Sequence, residues 1–460
     1  MPSSNLNPRA FMRHVAGAVV GAAASLMALT PPAYAAGGGI IRDAEIEETL
    51  RDFSTPIWKA AGLDPNSINI VIISDPEMNA FVSGGQNIFI YTGLILATDS
   101  PNQLKGVIAH ETGHIAGGHL ARSDDAMGKA MMPAFVSIGL GVLALAAGAP
   151  DAGAALISGS PQFAMGSMMR FSQVQEASAD QAGLSFLDGS GQSGEGLLEF
   201  FDKFRYQEVM SDARRSAYFR THPLSSDRIA ALRTRVMASE HKTAVDTPED
   251  LKRYDMMKAK LYGFLETPSR TYVKYPETNT TLPARYARAV AAYKIPDNGK
   301  AIKEITALTQ AEPNNPYFQE LWGQILFESG KAKDAVPHDR EALRLKPTNA
   351  LLMTNLGRSL NGVGDEASAK EAIGVLQRAV QIENDNGYAW RELSIAYDTT
   401  HDEGMARLAT AEQAFALGDY SRALNFAMRA KEVLPQGQAM RRASDIILIS
   451  ETKTRRQRPG

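Results

Sequence analysis

AHETGHIAGGH, residues 109–119, sets two histidines four apart, with a glutamate after the first and a third histidine five residues beyond the second. On a helix, residues four apart are rotated by only about 40°, so His110 and His114 point the same way and can grip one ion. Glu111 stands about 100° around, close enough to reach a water on that ion as a general base. Two ligands leave a catalytic metal centre one short. His119 is the nearest candidate, but on a continuing helix it lies about 140° from His114 and cannot share its metal. Only a local adjustment at Gly117 and Gly118 would bring it in; otherwise it is a surface histidine or an outer partner of the site.

A second candidate lies in QEASADQAG, residues 175–183, where Glu176 and Asp180 share one helix face. The small residues Ala177, Ser178 and Ala179 would let that helix pack closely on the motif helix. Glu176 would then complete the ligand set, and Asp180 would orient a ligating imidazole from behind. A solvated acidic face explains the same spacing equally well.

Upstream, residues 43–63 have the spacing of an amphipathic helix. INIVIIS (68–74) and NIFIY (87–91) read as strands, with turns at Asp75-Pro76 and Gly84-Gly85. The motif helix is expected to start near Ser100, with Pro101 in its first position. Downstream, the apolar stretch 127–148 carries Lys129 as its only charge. Its glycines and alanines suit a lid near the site or contact with a membrane surface better than a packed core, and its length also permits a transmembrane helix.

From Thr281 the texture becomes helical. Pro313 and Pro347 lie 34 residues apart, the period of tetratricopeptide repeats. One unit carries Ala289, Ala301 and Leu308, and the next Trp322, Gly323, Ala335 and Ala342. A stretched unit has Gly357, Ala372 and Ala379, and the last has Ala411, Gly418, Ala423 and Ala430 before Pro435. Counting periods between Pro347 and Pro435 leaves room for one extra helix, near 388–397. Such arrays present concave protein-binding surfaces.

The chain has 460 residues, enough for two or three domains, and its 44% apolar content is that of a folding sequence. A net charge of -3 argues against a nucleic-acid binder. There is no cysteine, so disulfides, thiol catalysis and cysteine metal sites are excluded and His, Asp and Glu remain as ligands. Arg9, Arg13 and His14 precede an apolar run over 15–29, and Ala33-Tyr34-Ala35 fits a cleavage site. This predicts a signal peptide over 1–35 and, in a Gram-negative host, export to the periplasm; an uncleaved anchor is the alternative.

HETGH followed by EASAD resembles the gluzincin metallopeptidases of the CAAX prenyl protease and HtpX type. NAFVSGGQNIFIYTGLI upstream and THPLSSDRI (221–229) downstream resemble the same group. With a signal peptide before it and repeats after it, the whole is similar to the periplasmic β-barrel assembly-enhancing proteases. The resemblance implies an α+β, mainly helical protein: a zincin-like zinc metalloprotease domain over 36–265, a linker over 266–280, a tetratricopeptide solenoid over 281–450 and a basic tail over 451–460. It implies one zinc ion held by His110, His114 and Glu176, with Glu111 as general base and Asp180 behind the ligands; no other cofactor is expected. His222 falls where this subgroup has a histidine able to take the water position and silence the enzyme. Transition-state stabilisation and a purely structural role before Pro223 are its alternatives. Arg228 would anchor that loop, and 83–91 would be an edge strand that pairs with extended substrate. Misassembled outer-membrane proteins would be the substrates and the barrel assembly machinery the partner of the repeats.

Overall fold

Asp43 accepts hydrogen bonds from the amides of Glu45 and Ile46 and so caps helix α1, Ala44–Ala60, which buries Ile46, Leu50, Phe53, Ile57 and Trp58 at helical spacing. The structure, a computed structural model, describes residues 39–119, 172–210, 214–295 and 298–457. The expected signal peptide (1–35) and the apolar stretch 127–148 lie outside the described residues. Among the described residues, no helix is long and apolar enough to cross a membrane.

The two expected strands are present as β2 (Asn69–Ser74) and β4 (Asn87–Tyr91), paired in parallel. Two more accompany them. β1 (Gly39–Ile41) runs antiparallel to β2, and β3 (Ala80–Ser83) antiparallel to β4, in the order β1-β2-β4-β3. Strands of three and four residues are too short to display a period of two. This order corrects the expectation that 83–91 forms the edge. β4 is paired on both sides, and the outer position belongs to β3, which Gly84 and Gly85 at φ +60° and +97° fold back on β4. Ile72, Ala80, Val82, Ile88 and Ile90 turn inward and join Leu104, Val107 and Ile108 in one core. Short helix α2 (Thr92–Ala97) leads into α3 (Pro101–Ala116), where the Ser100 side chain accepts from the Gln103 amide and Pro101 takes the first turn.

Then come α4 (residues 172–189), α5 (Glu195–Lys203), α6 (Ala217–Thr221), α7 (Ser226–Ala238) and α8 (Pro248–Leu265). The segment expected to be a linker, 266–280, instead contains helix α9 (Pro268–Lys274), with Thr271 buried. No gap separates the two parts of the chain here. Tyr254, Met257 and Leu261 of α8 enter the sheet-side core, while Met256 and Phe264 of the same helix enter the core of the array that follows.

That array is a series of paired helices: α10 (Leu282–Tyr293), α11 (Asn298–Ala311), α12 (Pro316–Glu328), α13 (Ala332–Leu345), α14 (Ala350–Val363), α15 (Glu366–Ile382), α16 (Gly387–Thr399), α17 (Glu403–Ala416), α18 (Tyr420–Lys431) and α19 (Gln438–Gln457). The alanines singled out by the repeat pattern are buried, and Gly323 and Gly357 sit where a β-carbon would collide with Asp339 and Leu376 of the paired helix. Gly418 does something else: at φ +73° it ends α17 on an exposed turn. α16 occupies the place of the extra helix. α19 runs on to Gln457, so most of the expected basic tail is helical. The fold is therefore mainly helical, with one small mixed sheet followed by paired helices.

Candidate metal centre

Helices α3 and α4 cross almost backbone to backbone. A β-carbon on Gly113 would stand 2.5 Å from the Ala179 carbonyl oxygen, and one on Gly183 3.0 Å from the Ala109 backbone. Of the three small residues expected at this contact, only Ala179 is buried in it; Ala177 and Ser178 are exposed. The close approach carries His110 and His114 of α3 up to Glu176 and Asp180 of α4. The loop after α6 adds His222. One ligand atom from each of His110, His114, Glu176 and His222 lies within 4.8 Å of the others.

The distances describe a knot of acceptors. His110 Nε2 is 3.2 Å from His114 Nε2, 3.4 Å from Glu176 Oε2 and 3.3 Å from His222 Nδ1. His114 Nε2 is 3.4 Å from Glu176 Oε1, and His222 Nδ1 is 3.1 Å from Glu176 Oε2. Behind His110, Asp180 Oδ1 lies 2.9 Å from Nδ1 and so favours the tautomer with its lone pair on Nε2. Arg228 fixes that aspartate from the other side, with Nε and Nη2 donating to the two carboxylate oxygens at 2.7 and 2.8 Å. Its Nη1 donates to the Pro223 carbonyl at 2.7 Å and lies 3.2 Å from Glu176, while the guanidinium sits over Phe201.

Converging lone pairs repel unless a positive charge lies among them. Burial pulls His110 down, but Asp180 and Glu176 outweigh it and hold the imidazolium up to about 10. His114 is then pulled down to about 2, by burial first and by the charge of His110 second. Burial raises both carboxyls, yet His222 and His110 bring Glu176, and His110 and Arg228 bring Asp180, below the usual carboxylate range. Two ionised carboxylates thus face one guanidinium, and the cluster favours one more cation. A metal ion suits this donor set, which is nitrogen and carboxylate oxygen throughout.

Glu111 stands apart from the knot. It is buried, and its Oε1 is 3.5 Å from His222 Nε2; among the described residues neither its carboxylate oxygens nor that Nε2 has a hydrogen-bond partner. Burial raises its carboxyl above the usual range. Tyr218 packs its ring 4.8 Å from that of His222 and has a buried, unpartnered hydroxyl.

Residues 41–236 match peptidase family M48. The metalloprotease LoiP of Escherichia coli (strain K12) is 31% identical over 193 residues, covering 40% of this chain and 69% of that protein. The chain belongs to peptidase family M48. The beta-barrel assembly-enhancing protease of Escherichia coli (strain K12) is 26% identical over 405 residues, 86% of this chain and 81% of its own, so the likeness extends through the paired helices. A protein of the same description from Yersinia pestis is 25% identical over 329 residues, covering 70% of this chain and 67% of its own. Within this M48 metalloprotease, His110, His114, Glu176 and His222 form a group that could hold a metal ion.

The structure brings together every site residue the sequence singled out. Three residues take places that the spacing alone does not show. Arg228 is tied to Asp180 and Glu176 as well as to its own loop, and Tyr218 backs the His222 ring. A buried arginine or tyrosine carries no local signature that separates it from a surface one. His119 is the third case: the helix does not continue past Ala116, and the ring returns to lie against His114.

Proposed function

We propose that this protein is a zinc endopeptidase, exported to the periplasm, that degrades misassembled outer-membrane proteins and assists their assembly through its paired helices. The observation that carries the proposal is the convergence of His110, His114 and Glu176 on one point beside the unpartnered carboxylate of Glu111. The clients and the compartment rest on the names of the relatives, on the signal-like start of the sequence and on the array's resemblance to tetratricopeptide repeats.

His110, His114 and Glu176 would hold the zinc, and Asp180 and Arg228 would keep His110 and Glu176 in place. When bound, zinc supplies Lewis acidity and lowers the pKa of a coordinated water toward ~7. Glu111 takes the proton from the attacking water and passes it to the leaving amide nitrogen; its raised affinity for protons suits both halves of that task. An extended peptide would lie along β3, the outer strand on the β4 side of the sheet.

A second reading is favoured by His222, whose Nδ1 already lies among the ligands. As a fourth ligand it would occupy the position that water needs, and the protein would act chiefly as a chaperone or adaptor with a silenced site. Two variants separate the readings. Glu111→Gln should abolish the cellular function; full function in that variant would reject proteolysis as the main role. His222→Ala should increase cleavage of an unfolded outer-membrane protein in vitro, whereas unchanged or lower cleavage removes the self-inhibition.

A further inference from the structure

The metal-centre reading leaves His119 without a task, although it is buried and its ring touches a proposed ligand. The way the chain delivers it is specific. α3 stops at Ala116, Gly117 caps it, and Gly118 turns the chain at φ +62°. The His119 ring is thereby folded back over the helix end, so close that a β-carbon on Gly117 would stand 2.5 Å from its Nε2. Its Nδ1 lies 3.0 Å from Nδ1 of His114, with the two rings nearly perpendicular at 79°. Gln175, next to Glu176 on α4, donates from Nε2 to the His119 carbonyl at 3.4 Å. The residue therefore sits between the two helices that supply the ligands.

We infer that His119 is a positioning residue for His114, and that the Gly117-Gly118 turn serves to place it. The chemistry fixes the direction of the bond. His114 offers Nε2 to the metal-binding group, so its proton resides on Nδ1, and that N–H donates to the lone pair on His119 Nδ1. The tautomer and ring angle of His114 are then set from behind, as Asp180 sets those of His110. The two imidazoles are held by different partners: His110 by a carboxylate, His114 by a neutral ring.

The inference rests on the zinc reading above, and the test keeps the two apart. Zinc affinity of the full chain is measured by competition with a chromophoric chelator, beside the thermal unfolding of each metal-free variant. His119→Ala should weaken zinc binding about 10- to 100-fold, the usual effect of removing such a partner, while one zinc per chain still binds at saturation. Gly117→Ala, which keeps the imidazole but pushes it away, should weaken binding to a similar degree. His119→Gln, whose amide oxygen can accept the same proton, should restore part of the loss. A purely structural role would lower the metal-free unfolding midpoint without this pattern of loss and rescue. Zinc affinity within twofold of the parent in both His119→Ala and Gly117→Ala would overturn the inference. Should Glu176→Ala also keep parental affinity, the zinc reading itself fails; should Glu176→Ala alone lose zinc, only the role of His119 falls.

Discussion

Glu111 combines three properties that suit a base: it is buried, it has no hydrogen-bond partner among the described residues, and it faces the metal-binding group rather than joining it. Exchanging it for glutamine keeps the shape and removes the basicity. Glu111→Gln should lower the rate of peptide cleavage by at least about 100-fold with zinc content unchanged, measured on a quenched fluorescent peptide. At this scale the sequence was legible where spacing carries geometry. The 110/114 pair and the 176/180 pair each name one helix face, and both faces meet. On an unbroken helix the spacing sets His119 about 140° from His114; its actual place depends on a helix ending at Gly117 and on Gly118 at positive φ, the local adjustment that the sequence leaves open. Spacing could not reveal that Arg228 would find Asp180, which lies 48 residues away.

Among the elements, the paired helices depend on positions where no side chain fits. A β-carbon on Gly357 would stand 2.4 Å from Leu376 Cγ. The overlap costs about 1–3 kcal/mol, against about 1 kcal/mol gained in helix propensity, so Gly357→Ala should lower the urea midpoint. Gly374, exposed on α15 with open space around it, should behave oppositely, with Gly374→Ala gaining up to about 1 kcal/mol. Asp339 of α13 gives a pH signature. It lies buried against Gly323, accepts a hydrogen bond from Ser359, and is pushed up by burial to about 6, with Ser359 and Arg358 opposing. Its folded form binds the proton more tightly than the unfolded chain. The stability it contributes is therefore complete below about pH 4 and is lost as pH rises through about 6. Asp339→Asn should flatten that part of the stability profile and recover about 1–3 kcal/mol at pH 7, read from denaturant melts between pH 4 and 8. The sequence revealed these pairs through the 34-residue period and the small residues. It hid β1 and β3, which are too short to pattern, and α9, whose stretch read as a linker.

Over the whole molecule, the sheet-side core and the helical array share α8 and are joined by a buried charge network. Lys260 of α8 reaches Asp43 at 2.8 Å and Glu45 and Glu320 at 3.4 Å, and Tyr286 donates to Glu45. Burial pulls Lys260 down, but Asp43 and Glu320 hold it well above its ordinary value; burial in turn pushes Glu320 up to about 7. Removing the lysine would strand three carboxylates between the two parts. Lys260→Ala should cost about 3–5 kcal/mol, seen as a lower midpoint in chemical denaturation. Such a junction holds the array in a set position relative to the chain that carries the metal-binding group. The proposed zinc centre is closed by Glu176, and the zinc content of purified Glu176→Ala decides whether it is. One zinc per parent chain and none in the folded variant is the predicted result; a folded Glu176→Ala that still carries one zinc per chain would contradict it.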